Sequence, residues 1–186
     1  MIATNKLIDR KGMTLTELLA GIIVMLLVAG IMVIGVKLGS DAYVKSVSMS
    51  EAQQLCSTLT SLVNDELRYC SEVYVKDSKV GIFSENFGKG TNDTGLIYAQ
   101  DDKGQVVLED EVGNLSYKIL SSRSYPYNLK ATVDLTYDKT NTAFENGVFN
   151  ATIKVYRTEG KVLATTTFQV QPLNYVVEKT QNTTTP

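Results

Sequence analysis

The sequence predicts an α+β fold: one long N-terminal helix packed on a C-terminal antiparallel β-sheet domain. Three observations carry this. Leu18 to Val36 holds no charge, no Pro and no strongly polar side chain. From Val44 to Leu67 apolar residues recur every three or four positions, the period of a helix with one covered face. After Cys70 the period drops to two, that of strands with one covered face.

The first element is the stretch 13–38. At ~1.5 Å rise per residue its uncharged run spans just under 30 Å, about the hydrocarbon thickness of a bilayer. Lipid cannot satisfy open backbone groups, so a single span there must be helical. A buried core helix would confine its apolar side chains to one stripe. Here they occupy every face, with Leu18, Val24, Leu26, Val28 and Ile34 among them, and the stretch reads as a membrane span. Lys6, Arg10 and Lys11 precede it, which puts the N-terminus in the cytoplasm and the body outside. Gly21, Gly30, Gly35 and Gly39 weaken the helix in water. In lipid they admit close helix packing or a local loosening, with Gly35 and Gly39 at GxxxG spacing, though Gly is also ordinary in such spans. Glu17 is the exception to the pattern. A lone carboxylate at the mouth of the span costs roughly 2–3 kcal/mol, and so it asks for a cationic partner.

The residues Lys11-Gly12-Met13-Thr14-Leu15-Thr16-Glu17-Leu18-Leu19 resemble the processing site of type IV pilins and type II secretion pseudopilins. That family carries a short basic leader ending in Gly, then a hydrophobic helix whose fifth mature residue is Glu. Counted from Met13, Glu17 is the fifth. Two departures are Met13 where Phe is usual, and a span without Pro. The resemblance implies that a prepilin peptidase cuts between Gly12 and Met13 and methylates the new amine. It implies further that Glu17 neutralises the Met13 amine of a neighbouring subunit inside a filament, where low dielectric makes the pair strong and a missing partner costly. The partners so implied are the peptidase, other pilin subunits and the membrane. The fold so implied is pilin-like, with residues 1–12 as leader, 13–38 as assembly helix, 39–70 as its amphipathic continuation, 71–178 as a β-rich head and 179–186 as a disordered polar tail. A conventional signal cleavage after the apolar core is the competing fate of this segment.

In the continuation, Val44, Val47, Ala52, Leu55, Leu59, Leu62, Val63 and Leu67 form the apolar stripe. Lys45, Ser48, Glu51, Gln54, Ser57, Ser61, Asp65 and Arg68 form the wet face, with a weak break or cap at Ser40 or Asp41. Cys56 and Cys70 are fourteen residues apart, roughly 21 Å along one helix, against the ~7 Å limit for a disulfide. Two buried free thiols are expected.

The strands expected in the head are Glu72–Lys76, Lys79–Phe83, Leu96–Gln100, Gln105–Leu108, Leu115–Leu120, Leu129–Tyr137, Val148–Arg157 and Val162–Val170, with an edge strand at Tyr175–Val177. Turns fall at Asp77-Ser78, Asp101–Gly104 and Thr158–Gly160, a Gly-rich loop spans 84–95, and Pro172 stops pairing. The block from Val148 to Asn174 also resembles, less specifically, the C-terminal sheet of minor pseudopilins.

Composition narrows the function. The chain has no His, which removes Ser-His-Asp and Cys-His nucleophiles and imidazole metal sites. Net charge is −2; without residues 1–12 the counts become 15 basic and 19 acidic, net −4. Such a balance gives nucleic-acid binding little support. No catalytic set, cofactor motif or metal-ligand series stands out. Asp101, Asp102, Glu109, Asp110 and Glu111 cluster near a turn but lack the calcium-loop spacing, so a solvated surface is favoured. Tyr125 and Tyr127 could form an adhesive patch, with core packing the plainer reading. The N-x-[ST] patterns at Asn92, Asn114, Asn150 and Asn182 are frequent by chance in a Thr-rich chain. The expected role is therefore a structural filament subunit, a minor pilin or pseudopilin. The alternative is an extracellular β-domain that binds a partner while tethered by one uncleaved span.

Overall fold

The structure is a computed structural model that describes residues 14–76, 79–84, 86–90, 95–110, 115–140, 146–157, 160–173 and 176–179. Gly12, Met13 and the rest of the leader lie outside these residues. So do Asp77-Ser78, Asn92, Glu111, Asn114, Thr158-Glu159, Tyr175 and the tail from 180 onward.

One helix, α1 (Leu15–Arg68), carries both halves of the predicted N-terminal element over 54 residues. The weak break expected at Ser40 or Asp41 does not occur. No Pro interrupts the run, and Ala42, Lys45, Met49, Glu51 and Ala52 favour propagation once the helix is formed. The chain divides into two compact units, Met1–Lys45 and Ser46–Pro186.

In the second unit α1 buries Ser48, Ala52, Leu55, Cys56, Leu59, Val63 and Leu67, at intervals of three and four. This corrects the expected stripe in detail. Ser48 is 2% exposed rather than wet, while Val44 and Leu62 are 38% and 37% exposed. The covered arc follows the Ser48–Ala52–Cys56–Leu59–Val63 line; Leu62 falls on its rim, and Val44 lies on the same line but within the first unit.

The strands follow in chain order: β1 (Glu72–Lys76), β2 (Lys79–Ile82), β3 (Leu96–Gln100), β4 (Val106–Glu109), β5 (Ser116–Lys118), β6 (Leu129–Asp138), β7 (Val148–Arg157), β8 (Val162–Val170) and β9 (Val177–Lys179). They make two sheets, β5-β4-β3-β2-β1-β9 and β6-β7-β8. Every pair is antiparallel except β1 with β9, which is parallel. The parallel β1–β9 pair is the one departure from the antiparallel pairing expected.

The core lies between α1 and the inner faces of both sheets. Val73, Ile82, Leu96, Val106 and Leu108 come from the first sheet, and Leu129, Ala131, Phe149, Ile153 and Val155 from the second, against Leu59, Val63 and Leu67. Fully burying one such side chain contributes on the order of 1.5–3 kcal/mol. Alternation on β7 is the clearest case. Phe149, Ala151, Ile153 and Val155 point inward, while Asn150, Thr152 and Lys154 lie on the wetter face.

Two junctions hold the second unit together. At the first, the turn Asp101–Gly104 docks on β6: the Ala131 N–H donates to the Gly104 carbonyl at 3.0 Å, and the Gln100 side-chain amide donates to the Ala131 carbonyl at 3.0 Å. Gly104 has φ +80, and a Cβ there would sit 2.4 Å from the Lys130 side chain, so the turn requires glycine. At the second, the Leu173 N–H donates to the Arg68 carbonyl at 2.8 Å and the Val177 N–H to the Ser71 carbonyl at 3.1 Å. A carbonyl at the helix C-terminus thereby gains a donor it would otherwise lack.

Candidate functional site

The start of α1 is built by Thr14. Its carbonyl accepts the Glu17 and Leu18 N–H groups at 3.1 Å each, and its hydroxyl oxygen lies 3.3 Å from the Glu17 N–H as acceptor. The Thr14 hydroxyl also sits 3.4 Å from Glu17 Oε2, where it can donate, and 3.1 Å from the Thr16 hydroxyl. Thr14-Leu15-Thr16-Glu17 is thus the T-x-x-E pattern of a capping box, with Glu17 as the third helical residue. A carboxylate in the first turn also faces the positive end of the helix dipole. Sequence reasoning treated Glu17 as an acid without a local role. The signal that assigns it one was spelled at Thr14, three positions upstream.

From Leu15 to Val36 the apolar side chains are exposed, with no cover among the described residues. Leu18, Val24, Leu26, Val28 and Ile34 are 52%, 58%, 67%, 45% and 62% exposed, and the most apolar window of α1 is not buried at all. The helix is long and apolar enough to cross a membrane, or to act as a signal segment. Gly21, Gly30, Gly35 and Gly39 each face open space, with no described atom within 4 Å of where a Cβ would stand. Glu17 is the acid at one end of this surface. At the other end Lys37, Asp41 and Lys45 stand at i, i+4 and i+8 on exposed helix.

The remaining candidates resolve into structural roles. Asp101 Oδ1 accepts from the Lys103 and Gln105 N–H groups at 2.9 and 2.8 Å, and Oδ2 lies 3.7 Å from Lys118 Nζ. Asp110 Oδ1 accepts from the Leu115 N–H at 3.2 Å. Both carboxylates therefore build turns, and no group of three or more potential metal ligands forms among the described residues. Tyr125 and Tyr127 part company. Tyr125 is buried, its hydroxyl oxygen accepting from the Val106 N–H at 3.1 Å, while Tyr127 is exposed on a left-handed backbone with φ 55. Asn150 accepts from the Gln169 side-chain amide at 2.8 Å across the outer face of β7 and β8.

Cys56 and Cys70 are both buried and free. Cys56 Sγ lies 3.3 Å from the Thr166 hydroxyl, and Cys70 Sγ donates to the Glu72 carbonyl at 3.1 Å. Burial pushes the Cys70 thiol up to about 12. Burial likewise raises Tyr98 and Tyr125 above the ordinary tyrosine value. Neither thiol is presented as a nucleophile.

No protein-family model, curated protein or solved structure matches the chain.

Proposed function

We propose that the chain is a structural subunit of a membrane-rooted filament, of the minor pilin or pseudopilin kind. The carrying observation is a helix whose first half exposes apolar side chains on every face, with one carboxylate at its mouth and a basic segment ending in Gly12 before it. A prepilin peptidase would cut between Gly12 and Met13. The freed and methylated Met13 amine of one subunit would then pair with Glu17 of the next, in a bundle of apolar helices. Its role is assembly, and the body in residues 46–179 would be carried on the filament surface or tip.

Mass spectrometry of the mature N-terminus in cells holding the peptidase tests this directly. The expected product begins at methylated Met13; a chain that keeps Met1 defeats the proposal. Glu17→Ala should leave cleavage intact and abolish recovery of the subunit in sheared filaments.

The capping geometry favours a second reading. Because Thr14 gives Glu17 a local hydrogen bond, the acid could serve only as the N-terminal cap of a simple anchor that tethers a binding domain. On that reading Glu17→Gln, which keeps a side-chain acceptor, behaves as the parent, and the protein stays with membranes after shearing.

A further inference from the structure

A sheet edge is a row of unpaired backbone groups, and folds usually shorten it, charge it, bend it or cover it. The two sheets present four edges. β5 and β9 are three residues each. The outer edge of β6 is docked through Ala131 on the Asp101–Gly104 turn. β8 is different. It runs for nine residues, pairs only with β7, and contains no Lys, Arg, Asp, Glu or Pro. Its one irregularity leaves Leu163 out of the pairing near its start, and Ala164–Val170 keeps unbroken register with β7. Among the described residues, only β7 makes backbone hydrogen bonds to that stretch. Beside it lies an open groove of about 440 Å³ between Gln53, Cys56, Ser57 and Thr60 of α1 and the start of β8, with Cys56 and Thr166 touching at 3.3 Å.

The geometry points to a second copy of this chain as the occupant, its β8 laid antiparallel along this one. A two-fold axis brings each strand against itself, so a charged edge would repel its own copy, whereas this one carries no charge. With Thr166 on the axis, Thr165 faces Thr167 of the second copy on the outer surface. Ala164 faces Phe168 of the second copy on the inner surface, small against large. Cross-strand threonine pairs stabilise such ladders, and this face already uses one, with the Thr152 and Thr167 hydroxyls 3.1 Å apart. The contact joins two β6-β7-β8 sheets into one. It depends neither on cleavage at Gly12 nor on Glu17, and so goes beyond the filament role.

The test uses the full chain in detergent micelles, with the dimer fraction read by native mass spectrometry. Thr165 and Thr167 are exposed and stand opposite Lys154 and Thr152 of β7, so circular dichroism first checks that T165K/T167K and T165E/T167E keep the parent fold. Each variant alone places like charges opposite one another and should lower the dimer fraction about tenfold. Mixing the two should restore it as a heterodimer. Three results overturn the proposal: a parent chain that is monomeric at high concentration; Lys variants that associate as strongly as the parent, which would assign the contact to the apolar helix; or a mixture that fails to recover although both variants keep the parent's circular dichroism.

Discussion

Thr14 shows how one hydroxyl defines where a 54-residue helix begins. Thr14→Val should cost about 1 kcal/mol of cap stability, with faster hydrogen exchange at the Glu17 and Leu18 amides as the readout. Gly95 sets a different kind of limit. A Cβ there would lie 2.5 Å from Tyr74 Cδ2 and 2.6 Å from the Gly81 carbonyl carbon. Gly95→Ala should therefore destabilise the body by about 1–3 kcal/mol, measured by denaturant unfolding. Cys70 gives a pH prediction. Its thiol rises from 9.0 in the open chain to about 12 in the fold, so the folded state favours the neutral form. That contribution is fully present below pH 9.0 and is lost as pH climbs toward about 12, with Tyr98 and Tyr125 adding loss in the same direction. Thermal unfolding across that window should show a falling midpoint, and iodoacetamide should label Cys56 and Cys70 only after unfolding. At this scale the sequence was legible for the cysteines, because helix rise alone forbids their pairing. It was less so for Ser48, whose burial depends on neighbours distant in the chain, and for Tyr127, which stays exposed beside the buried Tyr125.

Elements were read from periodicity, and periodicity served them well. β1, β3, β7 and β8 have the bounds that alternation predicts, and α1 ends at Arg68, just before Cys70 where the period changes. What alternation does not carry is pairing. β9 is three residues long, and its parallel partner β1 lies over a hundred positions upstream, so no local signal marks it. The docking of one sheet on the other is equally non-local, since it includes the Gly104–Ala131 contact between a turn and a strand. The two parts of α1 should respond differently to the same truncation. Leu59→Ala removes a wholly buried side chain and should cost about 2–5 kcal/mol of unfolding free energy. Leu26→Ala, in exposed apolar helix, should leave the midpoint of the body unchanged while weakening retention in membranes.

Across the whole molecule, the apolar surface of residues 15–36 and the packed core of residues 46–179 answer to different solvents. A chain beginning at Ser46 should stay soluble without detergent and keep the parent's near-ultraviolet circular dichroism, because its core residues all lie within that unit. The α+β class and the long apolar N-terminal helix were legible because each follows from a pattern within one stretch. The assembly role of Glu17 rests on a resemblance and on an amine that lies outside the described residues, so the cleavage and shearing experiments carry that question.

The pairing of β9 with β1 also bears on the order of manufacture. A ribosome delivers α1 before any strand and β9 after every other described strand, with almost the whole body between them. The first sheet must therefore wait, incomplete, until β9 has been made. The same delay leaves β1 without its parallel neighbour while every other strand of the body is already in place.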